Sequence, residues 1–523
     1  MRSVQYCLSF FANLFLKRAC LLVCGYLAGC LWLPLTLAAS PNSVDSSFMA
    51  TQNTWYQQGE AWLEQKVSRL NSLNKTKIKA QAKNVILVIG DGMSITTLTA
   101  ARIWQGQQAG KLGEEHFLHF EQYPYSALIK TYNSNQQSPD SAGTMSAIMT
   151  GLKTRAGLIS IGPEQARATC KGSKAHQQKT LLEWAHEANY ASGIVTTARL
   201  THATPAATYA HSPERLWESD LMRYPNAYLH GCDSIAKQLI EKAFPAGLDI
   251  AFGGGDIMLN SHYDRFKQQF SGGKIVRNQQ ELLSLPSDLS VRPILGVFAT
   301  SHMAYEVDRS KSENQSQPSL KQMAEQALLH LQTKEKLNGE NYLLVVEGAR
   351  IDQAHHAGNA ARALSETAML AETVQRLDEL TADDNTLIIV TADHSHNFVM
   401  AGYPKRGNPI LATSKNQLNE EVLANDGLPY TTLGYANGEA FGRRTHNNSH
   451  TEAVDYHQGV AVPLDYASHG SDDVALHAKG PGAHLFTGLM EQHEIFHTIV
   501  EALNWQSVEQ PTQTVVRSAE SPL

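Results

Sequence analysis

Three apolar runs in this chain each end in a carboxylate: Val85-Ile86-Leu87-Val88-Ile89-Gly90-Asp91, Leu343-Leu344-Val345-Val346-Glu347 and Leu387-Ile388-Ile389-Val390-Thr391-Ala392-Asp393. Short runs this rich in β-branched residues read as strands buried on both faces, which is the condition of a parallel sheet covered by helices. Open α/β sheets bind ligands beyond the carboxyl ends of their strands, so the three acids converge on one rim. Two of the runs lead into histidines, in Asp352-Gln353-Ala354-His355-His356 and Asp393-His394-Ser395-His396. That rim gathers the oxygen and imidazole ligands of a catalytic zinc site.

The rest of the chain fits the same architecture. Ala191 to Thr197 reads as a further strand, and Thr180 to Ala188, Ser319 to Leu331 and Ala360 to Leu380 read as helices. Alternation of this kind predicts an α/β fold with a doubly wound, mostly parallel central sheet flanked by helices. An amphipathic helix is expected around Trp55 to Leu73, and the Asn-, Gly-, Thr- and Arg-rich stretch 404–455 reads as an insertion near the active rim or a dimer contact. The 523 residues carry a net charge of -7, so no basic footprint for nucleic acid exists, and the 22 histidines suit a metalloenzyme.

Residues 1–39 read as a leader. Lys17 and Arg18 precede an apolar stretch from Ala19 to Leu37, and the small residues Ala38, Ala39 and Ser40 follow. The expectation is export to a periplasmic or extracellular location. Leu27-Ala28-Gly29-Cys30 also fits a lipoprotein cleavage box, which would attach the chain to a membrane through lipidated Cys30, and an uncleaved anchor is a third reading. The main domain is placed at 40–505 and a disordered tail at 506–523. Four of the six cysteines lie in the leader. Cys170 and Cys232 remain, and an even pair in an exported chain reads as one disulfide, the alternative being two buried thiols.

Pro139-Asp140-Ser141-Ala142-Gly143-Thr144 places Ser141 at the start of a small-residue helix ending near Gly151. Alone, that serine reads as a helix N-cap. As a nucleophile it needs activation, and without a Gly-x-Ser-x-Gly elbow a metal must supply it. Asp352 and His356 are four apart, so one helical turn lets both face one ion, and Asp393 and His394 sit at a strand end. Arg215, taken alone, reads as a surface ion pair with Glu218 at helical spacing.

Asp91-Gly92-Met93, Asp140-Ser141-Ala142-Gly143-Thr144, Val346-Glu347-Gly348-Ala349-Arg350-Ile351-Asp352, Thr391-Ala392-Asp393-His394-Ser395-His396 and His469-Gly470 together resemble the alkaline phosphatase family, in order and at its spacing. His202-Ala203-Thr204-Pro205-Ala206, Tyr209-Ala210-His211 and Arg215 are similar to its animal branch. The resemblance implies hydrolysis of phosphate monoesters through a phosphoserine on Ser141, with a broad substrate range, an alkaline optimum and a homodimer. It implies two Zn2+ and one Mg2+ per subunit: one zinc on Asp352, His356 and His469, the other on Asp91, Asp393, His394 and Ser141, and magnesium on Asp91, Thr204 and Glu347. Arg215 would clamp phosphate, with His202, Gln353 and His396 behind the ligands, and Cys170 and Cys232 match the branch's disulfide. The pair His202 and Gln353 mixes branches, and Phe298-Ala299 stands where the animal branch has the Phe-Glu of a calcium site, so no calcium is expected.

Overall fold

The computed structural model describes residues 81–505 apart from 224, 287, 289–291, 310–315 and 440–449. The leader, the expected helix around Trp55 to Leu73 and the 506–523 tail lie outside the described residues. By their contacts, all described residues belong to one unit.

Ten strands form the main sheet. Beginning with β1 (Asn84–Gly90), they include β2 (Tyr125–Lys130), β3 (Ala191–Arg199), β4 (Ile250–Gly254), β5 (Lys274–Val276), β6 (Ile294–Val297), β7 (Tyr342–Gly348) and β8 (Thr386–Ala392). After β9 (Phe398–Met400), β10 (Leu433–Gly438) and β11 (Val460–Pro463), which make a separate three-stranded sheet, come β12 (Val474–Lys479) and β13 (Gly488–Glu491). The main order is β13-β2-β12-β8-β1-β7-β3-β4-β6-β5. β8 through β5 pair in parallel, and only β12 opposes its neighbours β8 and β2. The sheet is therefore mostly parallel, as the apolar runs predict.

Every residue of β1, β7 and β8 is buried. Covering a Val, Leu or Ile side chain contributes about 1.5–3 kcal/mol, so these three adjacent strands form the most heavily stabilised part of the sheet. Register then fixes the rim. Ile89 lies level with Glu347 and with Thr391, so Asp91 and Asp393 emerge together from neighbouring strand ends. Gly92 turns the chain away at φ +67, and a Cβ there would come within 3.1 Å of Asp352, so glycine is required twice over, for its backbone and for its lack of a side chain.

The helices obey their caps. Among them are α1 (Ile95–Gln108), α2 (Ser141–Thr150), α3 (Leu181–Glu187), α4 (Ala203–Tyr209), α5 (Leu320–Asn338), α6 (Arg350–His356), α7 (Ala360–Glu379) and α8 (Glu494–Leu503). Thr180 with Glu183 and Ser319 with Gln322 form capping boxes that start α3 and α5 at the expected places. Asn359 caps α7 by accepting from Arg362 N. The 404–455 stretch departs from β9 and returns through β10, holding only isolated bridges such as Thr413 to Thr431 between them.

Cys170 and Cys232 are bonded, across a sequence separation of 62, and bury themselves with Trp217 and Ala227 in a small cluster apart from the main core. Closing a loop of that length stabilises the fold by about 4 kcal/mol on the chain-entropy model. Changing both cysteines to serine should lower the unfolding free energy by about that amount in a chemical denaturation series. An unchanged midpoint would show that the local cluster already constrains the loop.

Candidate active site

Asp140, rather than Ser141, caps α2: its carboxylate accepts from Gly143 N at 3.0 Å. Ser141 is thereby the first helical residue with its hydroxyl free of capping duty, and Ser141 Oγ lies 3.1 Å from His394 Nε2. Asp140 also accepts from Gly157 N at 2.9 Å and from Arg215 Nη1 at 3.0 Å. Burial works to raise its carboxyl, but Arg215 and the two amides hold it below the usual carboxylate range. Glu218 is taken by Arg199 at 2.8 and 2.6 Å, so Arg215 does not pair with it.

Three imidazoles converge nearby with one shared polarity. His356 Nδ1 donates to Ala467 O at 2.6 Å, His469 Nδ1 to Pro139 O at 2.7 Å, and His394 Nδ1 to Ser395 O at 3.1 Å. A ring that donates from Nδ1 keeps a lone pair on Nε2 when neutral. Those Nε2 atoms face one another and the acids: His469 to His356 at 3.0 Å, each 3.3 Å from Asp352, and His394 3.3 Å from Asp91 and 3.4 Å from Asp393. Two ligands each about 2.0 Å from one tetrahedral ion stand about 3.3 Å apart, so the spacings fit zinc. Two groups result, Asp352 with His356 and His469, and Asp91 with Asp393 and His394.

Acids gather here, with the Arg215 guanidinium near enough to interact with Asp91 and Asp352. Both oxygens of Asp91, Glu347 Oε1 and Asp352 Oδ1 are buried without a hydrogen bond of ordinary geometry. Burial first, then Asp393 and other carboxylates, push Asp91 well above its normal range, and burial lifts Glu347 to about 8. A buried carboxylate cluster of this kind needs cations, and the donor set fits them. Thr196, adjacent to Glu347 across β3 and β7, donates to Glu347 Oε2. Thr204 is the second residue of α4, whose N-cap is His202.

The remaining expected residues are placed as follows. His202 Nε2 is 3.4 Å from Arg215 Nη2 and its ring meets His302 edge-on. Gln353 turns to His302 and Arg350. His396 is buried, accepts from Asn397 N at 3.1 Å and brings Nε2 to 3.8 Å from Asp352. Ser141, Arg215, His202, His302, Asp352, Gln353, His356 and His469 all line one cleft of 690 Å³.

Residues 82–505 match the family model described as alkaline phosphatase. The chain belongs to the alkaline phosphatase family. It is 37% identical over 507 residues to the tissue-nonspecific alkaline phosphatase of Rattus norvegicus, covering 90% of this chain and 93% of that protein. Against the alkaline phosphatase of Gadus morhua it is 35% identical over 480 residues, covering 86% and 96%. Among solved structures, the alkaline phosphatase of the Antarctic bacterium TAB5 superposes with a TM-score of 0.57 at 23% identity, over 81% of this chain and 99% of that one. That of Thermus thermophilus gives 0.59 at 23% identity, over 82% and 93%. As an alkaline phosphatase, the protein hydrolyses phosphate monoesters, and the animal-type resemblance holds.

Several residues in and beside this alkaline phosphatase's cleft were not legible as site residues in the sequence. Asp140 lies within the quoted motif, and a carboxylate three residues before a glycine amide at a helix start is itself a cap signal. His302, Arg199 and Thr196 carried none, because only the folded sheet brings them beside α6 and β7.

Proposed function

We propose that the reaction runs through a phosphoserine on Ser141, with one zinc held by Asp352, His356 and His469, a second by Asp91, Asp393 and His394 beside Ser141, and magnesium by Asp91, Thr204 and Glu347. The observation that carries this is the set of Nε2 lone pairs turned toward shared carboxylates. When bound, the ions supply Lewis acidity to the entering and leaving oxygens and neutralise the buried carboxylates.

Ser141 Oγ attacks phosphorus in line, forming one P–O bond as the bond to the leaving alcohol breaks. The start of α2 presents free N–H groups to the phosphoryl oxygens. Arg215 offers a planar fork to two of them, held toward the cleft by Asp140. Water then cleaves the phosphoserine, returning Ser141 and releasing inorganic phosphate. The family supports a broad range of alcohols. The leader motif supports export, by cleavage or through Cys30, and the family supports a homodimer.

Elemental analysis of purified protein tests the ion assignment; iron in place of zinc in active protein would overturn it. For the clamp, Arg215→Lys should raise both KM and the inhibition constant for phosphate by about tenfold, because a lysine cannot grip two oxygens. Steady-state kinetics with phosphate as competitor decides this, and unchanged constants would remove Arg215 from the site.

A further inference from the structure

One wall of the cleft carries a polar chain that cannot satisfy itself. Arg350 Nη1 donates to Gln353 Oε1, Gln353 Nε2 lies 3.0 Å from His302 Nδ1, and His302 Nε2 lies 2.6 Å from Arg199 Nη1. The backbone N–H of Arg199 also points at His302 Nδ1, at 3.4 Å. Both ends of the chain are guanidiniums, which only donate. The amide and the neutral imidazole between them each pass on one donor and one acceptor. Whichever way amide and ring are turned, one link therefore sets donor against donor. Burial, with Arg199 and Arg350 alongside, lowers His302 to about 3, so the ring is neutral and no extra proton changes the count. Arg350 is stacked on Tyr305 at 3.7 Å and its Nε is buried without a hydrogen-bond partner, which adds a further unused donor.

A single acceptor in the cleft resolves every link. With Arg199 donating to His302 Nε2 and Arg350 to Gln353 Oε1, His302 Nδ1–H and Gln353 Nε2–H are left side by side, and both residues line the cleft that holds Ser141. An oxygen accepting from both leaves no side-chain donor of the chain opposed, only the long 3.4 Å approach of Arg199 N to Nδ1 remaining, and an anionic oxygen is favoured by the two guanidiniums behind. We propose that His302 and Gln353 form a subsite for an anionic group on the leaving alcohol, a carboxylate or a second phosphate. This deepens the monoesterase reading and rests on it.

The test uses paired substrates that differ only at that group. For the carboxylate arm, 2-phosphoglycerate is compared with glycerol 2-phosphate; for the phosphate arm, 1,3-propanediol bisphosphate with 3-hydroxypropyl phosphate. Each is run with the zinc-loaded wild type, with His302→Asp, which supplies the missing acceptor from within, and with Gln353→Met, which removes one of the donors. In at least one arm the ratio of kcat/KM, anionic over neutral, should fall by about tenfold in both variants, mainly through KM. A fall in one arm only assigns the group as carboxylate or as phosphate. Ratios that stay at the wild-type value in both arms for either variant overturn the subsite. Failure of the wild type to hydrolyse any of the four esters would instead overturn the monoesterase reading itself.

Discussion

Ser141→Ala should abolish the phosphoenzyme and lower turnover by at least about a thousandfold, with zinc content unchanged. The size follows from the geometry. Ser141 occupies the first turn of α2, its hydroxyl is released from capping by Asp140, and its Oγ sits 3.1 Å from His394. Removing one oxygen takes away the atom that attacks phosphorus but none of the imidazoles or carboxylates. The helix itself survives, because alanine is the best helix former and the cap is on Asp140. Acid-quench labelling measures the phosphoenzyme, and elemental analysis the metal. Near-normal steady-state activity in the alanine variant would end the assignment of Ser141 as nucleophile.

Chelation should remove activity and also make stability depend on pH. In the metal-free protein, Glu347 is raised to about 8 and Asp91 well above its normal range, chiefly by burial. A carboxyl whose folded pKa exceeds its unfolded value of about 4.3 binds more protons in the native state. Its stabilising contribution is whole below that unfolded value and is lost as pH rises through the folded one. Between about pH 5 and pH 9 the chelated protein should lose on the order of 3 kcal/mol or more, while the protein loaded with zinc and magnesium, whose carboxylates are already neutralised, loses far less. Thermal melts across that range, with both ions added back, give the result. Parallel stability curves for the loaded and chelated forms would mean that the acids carry no such burden.

The strands of the centre were legible because burial on both faces leaves an unmistakable run of branched apolar residues, as in Ile86 to Ile89 and Leu387 to Val390. The acids at their ends were legible for the same reason, being the first charges after each run. The outer strands were not. β2 and β12 are buried on alternate residues only, and a six-residue alternation such as Val474 to Lys479 is easily lost among loops. In the site, motif residues such as Asp352, His356 and His469 are brought together as the resemblance implied. What sequence could not supply was direction. Arg215 turns to Asp140 instead of Glu218, and Gln353 turns to a histidine fifty-one positions away. Such choices depend on which donors and acceptors the sheet has already set facing each other.

The position of β1 has a consequence for the order of assembly. It is the first of the described strands to leave the ribosome, yet both its neighbours come from far along the chain: Asn84 meets Tyr342 across 258 residues, and the turn after β1 meets Asp393 across 301. Until those segments exist, a strand buried along its whole length has no partner on either side. Folding is then governed by distant contacts whose loop-closure cost must be met first, the regime of slow folding and exposed intermediates. His469 arrives later still, so the group of Asp352, His356 and His469 stays open after that of Asp91, Asp393 and His394 has all its members, and full ion capture becomes a late event of maturation. A chain kept unfolded until it is whole loses nothing by waiting.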